Sequence, residues 1–400
     1  MRAIRSMVSK LGRLMASSRM DGRLGVASSM ERVVPQVARS VCRRSESAFR
    51  VCLRSASGRP RCLRCRYSLD TLPATELGML ELTRNVAERA RTWIGVTSQN
   101  LAVQDLIALA FHAYLFLRVS AAPDSPDATV ARRLALALLV VTACSLALSR
   151  GELIRSRRAR ALTYRLGLFV PMVLSYFEMR VLLPALHPDL LDHRLYAIDL
   201  WLLGTTPSIW MQAWNIRPVV EWLSFFYYTH FFVLIAMLIP ALFLGKGRRL
   251  HELMAGSMLI VAVGHFLYTV VPGVGPYATI PFEQPLQGGF WWKQVEVTVA
   301  TAGAQLDIFP SLHTAWPAYF TLHAWAHRDV APFRWLWPIL GFVALNIIIA
   351  TMFLRWHWFI DVALGLLLAF AARRFAFAVA AREELRGALY DVRQPVWERL

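Results

Sequence analysis

Beyond about residue 100 the chain is built of apolar runs close to the length of a bilayer-crossing helix, and this restricts its fold more than any other feature. Segments near 101–119, 133–149, 165–184, 222–244, 252–272, 312–327, 335–354 and 358–378 read as spans, the second and sixth being short. Lipid offers no partner to an open backbone N–H or C=O, so such runs must be helical. The expectation is an all-α polytopic transmembrane helix bundle of about eight spans. A mean hydropathy of +0.42 and a charged fraction of 18% exclude an ordinary soluble domain.

A formal net charge of +18 would suit a nucleic-acid binder, but its distribution does not. Residues 1–66 hold 16 Lys and Arg against Asp21, Glu31 and Glu46, whereas the other 334 residues hold 28 basic and 23 acidic side chains. The basicity belongs to a tail, so no nucleic-acid partner is implied. Residues 1–75 read as a disordered, Arg/Ser-rich segment without catalytic role. The same composition would fit an organelle transit peptide, a basic arm on anionic lipid, or sequence upstream of an internal start at Met79. Cys62-Leu-Arg-Cys65 has no second pair and no nearby His, so it implies neither a zinc site nor a disulfide framework.

Lys and Arg in the short loops set the orientation. Arg150, Arg155, Arg157, Arg158 and Arg160 follow the second span, and Lys246, Arg248 and Arg249 follow the fourth. Arg328 and Arg334 follow the sixth, and Arg373, Arg374, Arg382 and Arg386 close the last. With eight helices all four groups share one side with the basic N-terminus. Both termini are therefore expected in the cytoplasm, and the segments 185–221, 273–311 and 355–357 at the extracytoplasmic face. Residues 197–216, with Trp201, Trp210 and Trp214, read as an interfacial helix there.

Two stretches on that outer face carry chemistry. In Arg355-Trp356-His357-Trp358-Phe359-Ile360-Asp361, His357 and Asp361 are four apart on an expected helix and share a face. A carboxylate on one imidazole nitrogen fixes the tautomer and leaves the other nitrogen free to attack. Arg355 is placed to clamp an anionic oxygen. In Phe309-Pro310-Ser311-Leu312-His313, Pro310 suits a first helical turn, and Ser311 or Asp307 could cap it. Free N–H groups there favour phosphate, and His313 could protonate a departing oxygen.

Pro-Ser-Leu-His followed by Arg-x-His-x-x-x-Asp resembles the type 2 phosphatidic acid phosphatase superfamily. Tyr176-Phe177-Glu178, the run from Asp199 to Ser208, and Pro272-Gly273-Val274-Gly275-Pro276-Tyr277 resemble its inositol phosphorylceramide synthase-like branch. The likeness covers about residues 165–378. It implies a six-helix phosphatase-type core within a catalytic membrane domain over 160–380. Two accessory helices over 100–150 would precede that domain, and a cytoplasmic tail over 381–400 would follow. The resemblance further implies that His357 attacks phosphorus and forms a phosphohistidine, that Asp361 orients it, and that His313 serves as acid and then base. Where the superfamily's first motif supplies a Lys and an Arg, this chain offers Gly273, Gly275 and Tyr277. Phosphate binding thus falls to Arg355, Ser311, Pro310, Gly275 and Tyr277, with Lys293 or Arg217 as further cations. The implied chemistry needs no metal or cofactor, and no carboxylate cluster suited to Mg²⁺ stands out.

The expected activity is transfer of a phospho-headgroup, phosphoinositol among the candidates, from a phospholipid donor to a lipid hydroxyl. Hydrolysis of phosphatidic acid or of a polyprenyl or sphingoid phosphate, with water as acceptor, uses the same residues and stays open. A non-catalytic transporter or scaffold is the third reading, since His, Glu and Arg inside spans can mark a permeation path. His230, His265 and His323 read as structural or pocket-lining, and Glu178 and Arg180 as partners of other helices or as site residues.

Overall fold

The computed structural model describes residues 48–54, 60–66, 91–186, 189–303, 305–390 and 396–400. The chain divides into two compact units, Met1–Arg89 and Ala90–Leu400. In the first, β1 (Ala48–Arg54) and β2 (Pro60–Arg66) pair antiparallel, within the segment expected to be disordered. The rest of that segment, with Met79, lies outside the described residues.

Among its described residues the second unit is all-α. It begins with α1 (Val103–Ser120), α2 (Pro126–Arg150) and α3 (Arg157–Leu186). Pro126 sits in the first turn of α2, and the Ser125 hydroxyl accepts the Ala128 N–H at 3.0 Å, a complete N-terminal signal. After α4 (Asp192–Leu203), α5 (Pro207–Trp210) and a 3₁₀ turn over Met211–Trp214 come the long helices α6 (Arg217–Leu244) and α7 (Gly247–Tyr268). The short α8 (Pro276–Thr279) and α9 (Phe290–Ala302) lead to α10 (Leu312–Ala326), α11 (Phe333–Phe353) and α12 (Phe359–Tyr390).

Among the described residues seven helices are long and apolar enough to cross a membrane, and they match seven of the eight expected spans: α1, α2, α3, α6, α7, α11 and α12. The eighth, α10, has 15 residues. At 1.5 Å per residue it is about 22 Å long, short of the roughly 30 Å hydrocarbon core. It tolerates this because Leu312, Thr314, Ala315, Trp316, Tyr319 and Phe320 are all buried against neighbouring helices. The helix meets protein rather than lipid, so bilayer thickness does not set its length. α7, α11 and α12 enclose it.

Two elements differ from the sequence reading. The amphipathic stretch expected as one helix over 197–216 starts earlier, at Asp192, and breaks at Gly204. Gly204 adopts φ +73°, the left-handed conformation that ends a helix, and its N–H bonds to the Leu200 carbonyl. Likewise α12 runs to Tyr390, through half of the expected tail. Val396 is buried, and the Arg165 guanidinium donates to its carbonyl at 3.1 Å and to that of Leu242 at 2.9 Å. A buried guanidinium needs several acceptors, and the returning chain supplies two, the carbonyls of Val396 and Glu398.

The accessory helices are tied to α3 by a buried charged cluster. Arg150 Nε lies 2.7 Å from Asp105 Oδ2, while Tyr164 donates to Asp105 Oδ1 and accepts from Arg150 and Gln104. Removing one partner strands the other charge. Asp105→Ala is therefore expected to cost about 3–5 kcal/mol, read as a marked fall in thermal unfolding temperature in detergent. An unchanged transition would mean that α1 contributes nothing through this cluster.

Candidate functional site

The site lies where the N-terminus of α10, the turn before α12 and the loop before α8 converge. Ser311 N–H donates to the Asp361 carbonyl at 3.0 Å, which joins the two motifs directly. Gly365 permits the contact, since a Cβ there would lie 2.5 Å from the Ser311 carbonyl oxygen. The imidazoles of His313 and His357 end 6.0 Å apart, centroid to centroid. His357 Nδ1 lies 3.4 Å from Asp361 Oδ2, which also accepts the Trp358 N–H at 2.9 Å. His357 precedes α12, so the contact crosses the turn into the helix rather than lying along one helical face as expected, and the bond is long.

His313 is held by aromatic neighbours. The Tyr227 ring stacks on it at 4.5 Å and 11°, and the His230 ring lies 4.2 Å away. Both come from α6, so His230 does line the pocket. His265 lines the adjoining cavity, and its Nδ1 lies 2.9 Å from Ser175 Oγ. Burial lowers the His357 imidazole to about 4, against the opposite pull of the Asp307 carboxylate and the Ile308 carbonyl. Asp307 is half-buried, and its carboxyl is pushed up by desolvation.

Two cavities meet at this point and share Tyr176, Asp307 and His313. The smaller, about 60 Å³, includes Tyr227, Tyr277, Trp356 and His357 in its wall. The larger, about 300 Å³, runs between α3 and α6 along Phe169, Met172, Phe177, Leu234, Ile235 and Leu238. Among the described residues, no Lys or Arg lines either cavity.

Of the residues expected to hold phosphate, Tyr277 lines the small cavity and stands beside Trp356 at 4.7 Å. Arg355 turns away: its guanidinium lies 3.8 Å over the Phe282 ring and donates to the Gln284 carbonyl at 2.9 Å. At φ +70° its backbone is left-handed, and its carbonyl accepts the Tyr277 N–H at 2.9 Å. Gly275 is engaged structurally, with φ +92°, and a Cβ there would lie 2.3 Å from the Trp356 carbonyl oxygen. Its N–H, like that of Val274, donates to Asp192. Pro310 precedes the helix rather than occupying its first turn, because Ser311 is the cap residue. The Ser311 side chain does not cap, and its buried Oγ has no hydrogen-bond partner among the described residues. Lys293 pairs with Glu296 at 3.4 Å, and Arg217 lies beside Glu221 and Gly289. Arg180 bonds the Thr301 carbonyl, and neither Glu178 oxygen has a hydrogen-bond partner among the described residues.

Two carboxylates that no catalytic motif pointed to hold this arrangement. Asp192 accepts from Val274 N, Gly275 N and Trp358 Nε1 at 2.8–3.0 Å. Asp199 accepts from Phe359 N, Ile360 N and Thr206 Oγ1, and so satisfies the open N–H groups at the start of α12. Burial raises the Asp199 carboxyl, and these three bonds oppose it. The two residues are seven apart, two turns of α4, which puts them on one face of the helix. That pattern was the available signal.

No curated protein and no solved structure matches the chain. Residues 193–375, which carry His230, Asp307, His313, His357 and Asp361, match the family model of the PAP2 superfamily.

Proposed function

We propose that this membrane protein is a lipid phosphotransferase in which His357 is the nucleophile and His313 the acid and base. The observation that carries the reading is the junction of an apolar cavity with a pocket holding two imidazoles 6.0 Å apart. A lipid tail in the larger cavity would place its phosphorus between the rings. His357 Nε2 attacks phosphorus, the bond to the donor's glycerol oxygen breaks, and protonated His313 delivers its proton to that oxygen. An acceptor hydroxyl then attacks the phosphorus–nitrogen bond and gives its proton to His313, which returns both rings to their starting state. Asp361 is the orienting partner of His357. The loop charges favour placing this end of the bundle at the extracytoplasmic face.

Between transfer and hydrolysis, the lining favours a phosphodiester donor. A phosphate monoester carries close to two charges at neutral pH and a diester one, and each buried charge needs a partner. Among the described residues this pocket offers tyrosine hydroxyls, imidazoles and the half-buried Asp307 instead of a guanidinium or ammonium. Purified protein given phosphatidylinositol and a ceramide is expected to form inositol phosphorylceramide and diacylglycerol. Free phosphate from phosphatidic acid as the sole product would overturn transfer and leave hydrolysis.

The pH dependence has a fixed sign. The attacking form of His357 is neutral, and a group lowered to about 4 stays neutral through the physiological range. The acid limb of kcat/KM that belongs to His357 is expected near pH 4, below the ordinary histidine value. A limb near that ordinary value that persists in His313→Gln, followed through residual turnover, would count against the assignment.

A further inference from the structure

We propose that Glu252, His323 and His327 form a binding site for a divalent transition-metal ion of the zinc class, at the end of the bundle opposite the His313–His357 pair. His323 stands ten residues after His313 on the same helix, about 15 Å along its axis. The new site is therefore separate from the pocket described above.

Three observations meet here. His323 is fully buried, and neither ring nitrogen has a hydrogen-bond partner among the described residues. A buried imidazole normally has at least one bond, so both nitrogens are available to a ligand. The donor atoms of Glu252, His323 and His327 all lie within 4.8 Å of one another, close enough for one ion to gather with small side-chain rotations. His323 and His327 are four apart at the end of α10 and share a face, and Glu252 approaches from α7. Two imidazoles and one carboxylate, with a position left for water, are a zinc-type donor set rather than one for Mg²⁺ or Ca²⁺.

The surroundings support the carboxylate as a ligand. Arg248 Nε holds Glu252 Oε1 at 2.7 Å and leaves Oε2 facing His327 Nε2, also at 2.7 Å. Tyr319 fixes the Glu252 backbone through its carbonyl at 2.6 Å. The rings of Phe333 and Phe377 close over the histidines. Such outer contacts orient ligands and exclude water. When the ion binds, metal–ligand bonds replace the hydrogen bond between His327 and Glu252. The guanidiniums of Arg248, Arg249 and Arg373 oppose a cation, which favours an ion bound through strong metal–nitrogen bonds over one held by charge alone.

The test uses the full chain without an affinity tag, stripped with a chelator in detergent and titrated with Co²⁺. Visible bands of tetrahedral cobalt are expected to saturate at a single equivalent. They should disappear in His323→Ala, or in the volume-preserving His323→Phe if the alanine variant is not monodisperse. They should persist in the His313→Ala/His357→Ala double variant. The wild-type chain should also unfold at a higher temperature in Zn²⁺ than in chelator. Absent bands, bands retained without His323, bands lost with the distant pair, or an unmoved unfolding temperature would each overturn the site.

Discussion

Replacing His357 with alanine is expected to lower phosphoryl transfer by at least about 10⁴-fold, because no other group in the small cavity is placed to take its role. The fold should survive. The side chain's contact with Asp361 is a long one, and Asp361 keeps its shorter bond to the Trp358 N–H. Labelled lipid phosphate should leave a phosphorylated histidine on the wild-type chain and none on the variant. A variant of normal mobility and unfolding temperature that turns over at the wild-type rate would remove His357 from the mechanism. His313→Ala differs in kind: the donor would still be attacked, but its leaving oxygen would go unprotonated.

Asp199→Ala is expected to cost about 3–5 kcal/mol, since it strands two backbone N–H groups and a threonine hydroxyl in a buried setting at about 1–3 kcal/mol each, with partial relaxation. The effect on turnover should exceed a stability effect alone. The two N–H groups belong to the first turn of α12, directly after His357. A shift of about 1 Å in a reacting group is enough for about 10²-fold in rate. Assayed well below its unfolding temperature, the variant should show kcat reduced with KM little changed. Asp199→Asn, which keeps an acceptor, should recover part of both. Full activity in the alanine variant at a temperature where it is folded would show that the start of α12 needs no such cap.

The two motifs proposed as catalytic were legible because they are local. His357 and Asp361 are four apart and meet, although His357 lies in the turn before α12 rather than on the expected helical face. The turn containing Pro310 and Ser311 announced the start of α10, although the cap residue is Ser311 and its hydroxyl does not bond the helix. Arg355 shows where such reasoning stops. Two residues from the nucleophile, it read as a phosphate clamp. Its left-handed backbone instead turns the guanidinium onto Phe282 and Gln284. A sign of charge can be read from sequence, but the direction of a side chain depends on a φ angle that only the packed turn fixes.

Gly275 makes the same point from the other side. Its lack of a Cβ suited close approach, and the approach is real, but the partners are the Trp356 carbonyl and Asp192. Asp199 was visible as the first residue of the run that carries the branch resemblance, and Asp192 was not singled out at all. Their acceptors face groups 82 to 166 positions away in sequence, which no local pattern encodes.

The sequence by itself determined that this is a helical membrane protein, where most of its spans lie, and which histidine and aspartate form a pair. Hydrophobic length and helical periodicity act between neighbours and need no fold to express them. Only the tertiary structure decided that the short α10 can be enclosed by protein, that two cavities meet at His313, and that the pocket is lined without a cation. Those properties arise from which helix faces pack together, and a chain must close on itself before its distant residues share a space.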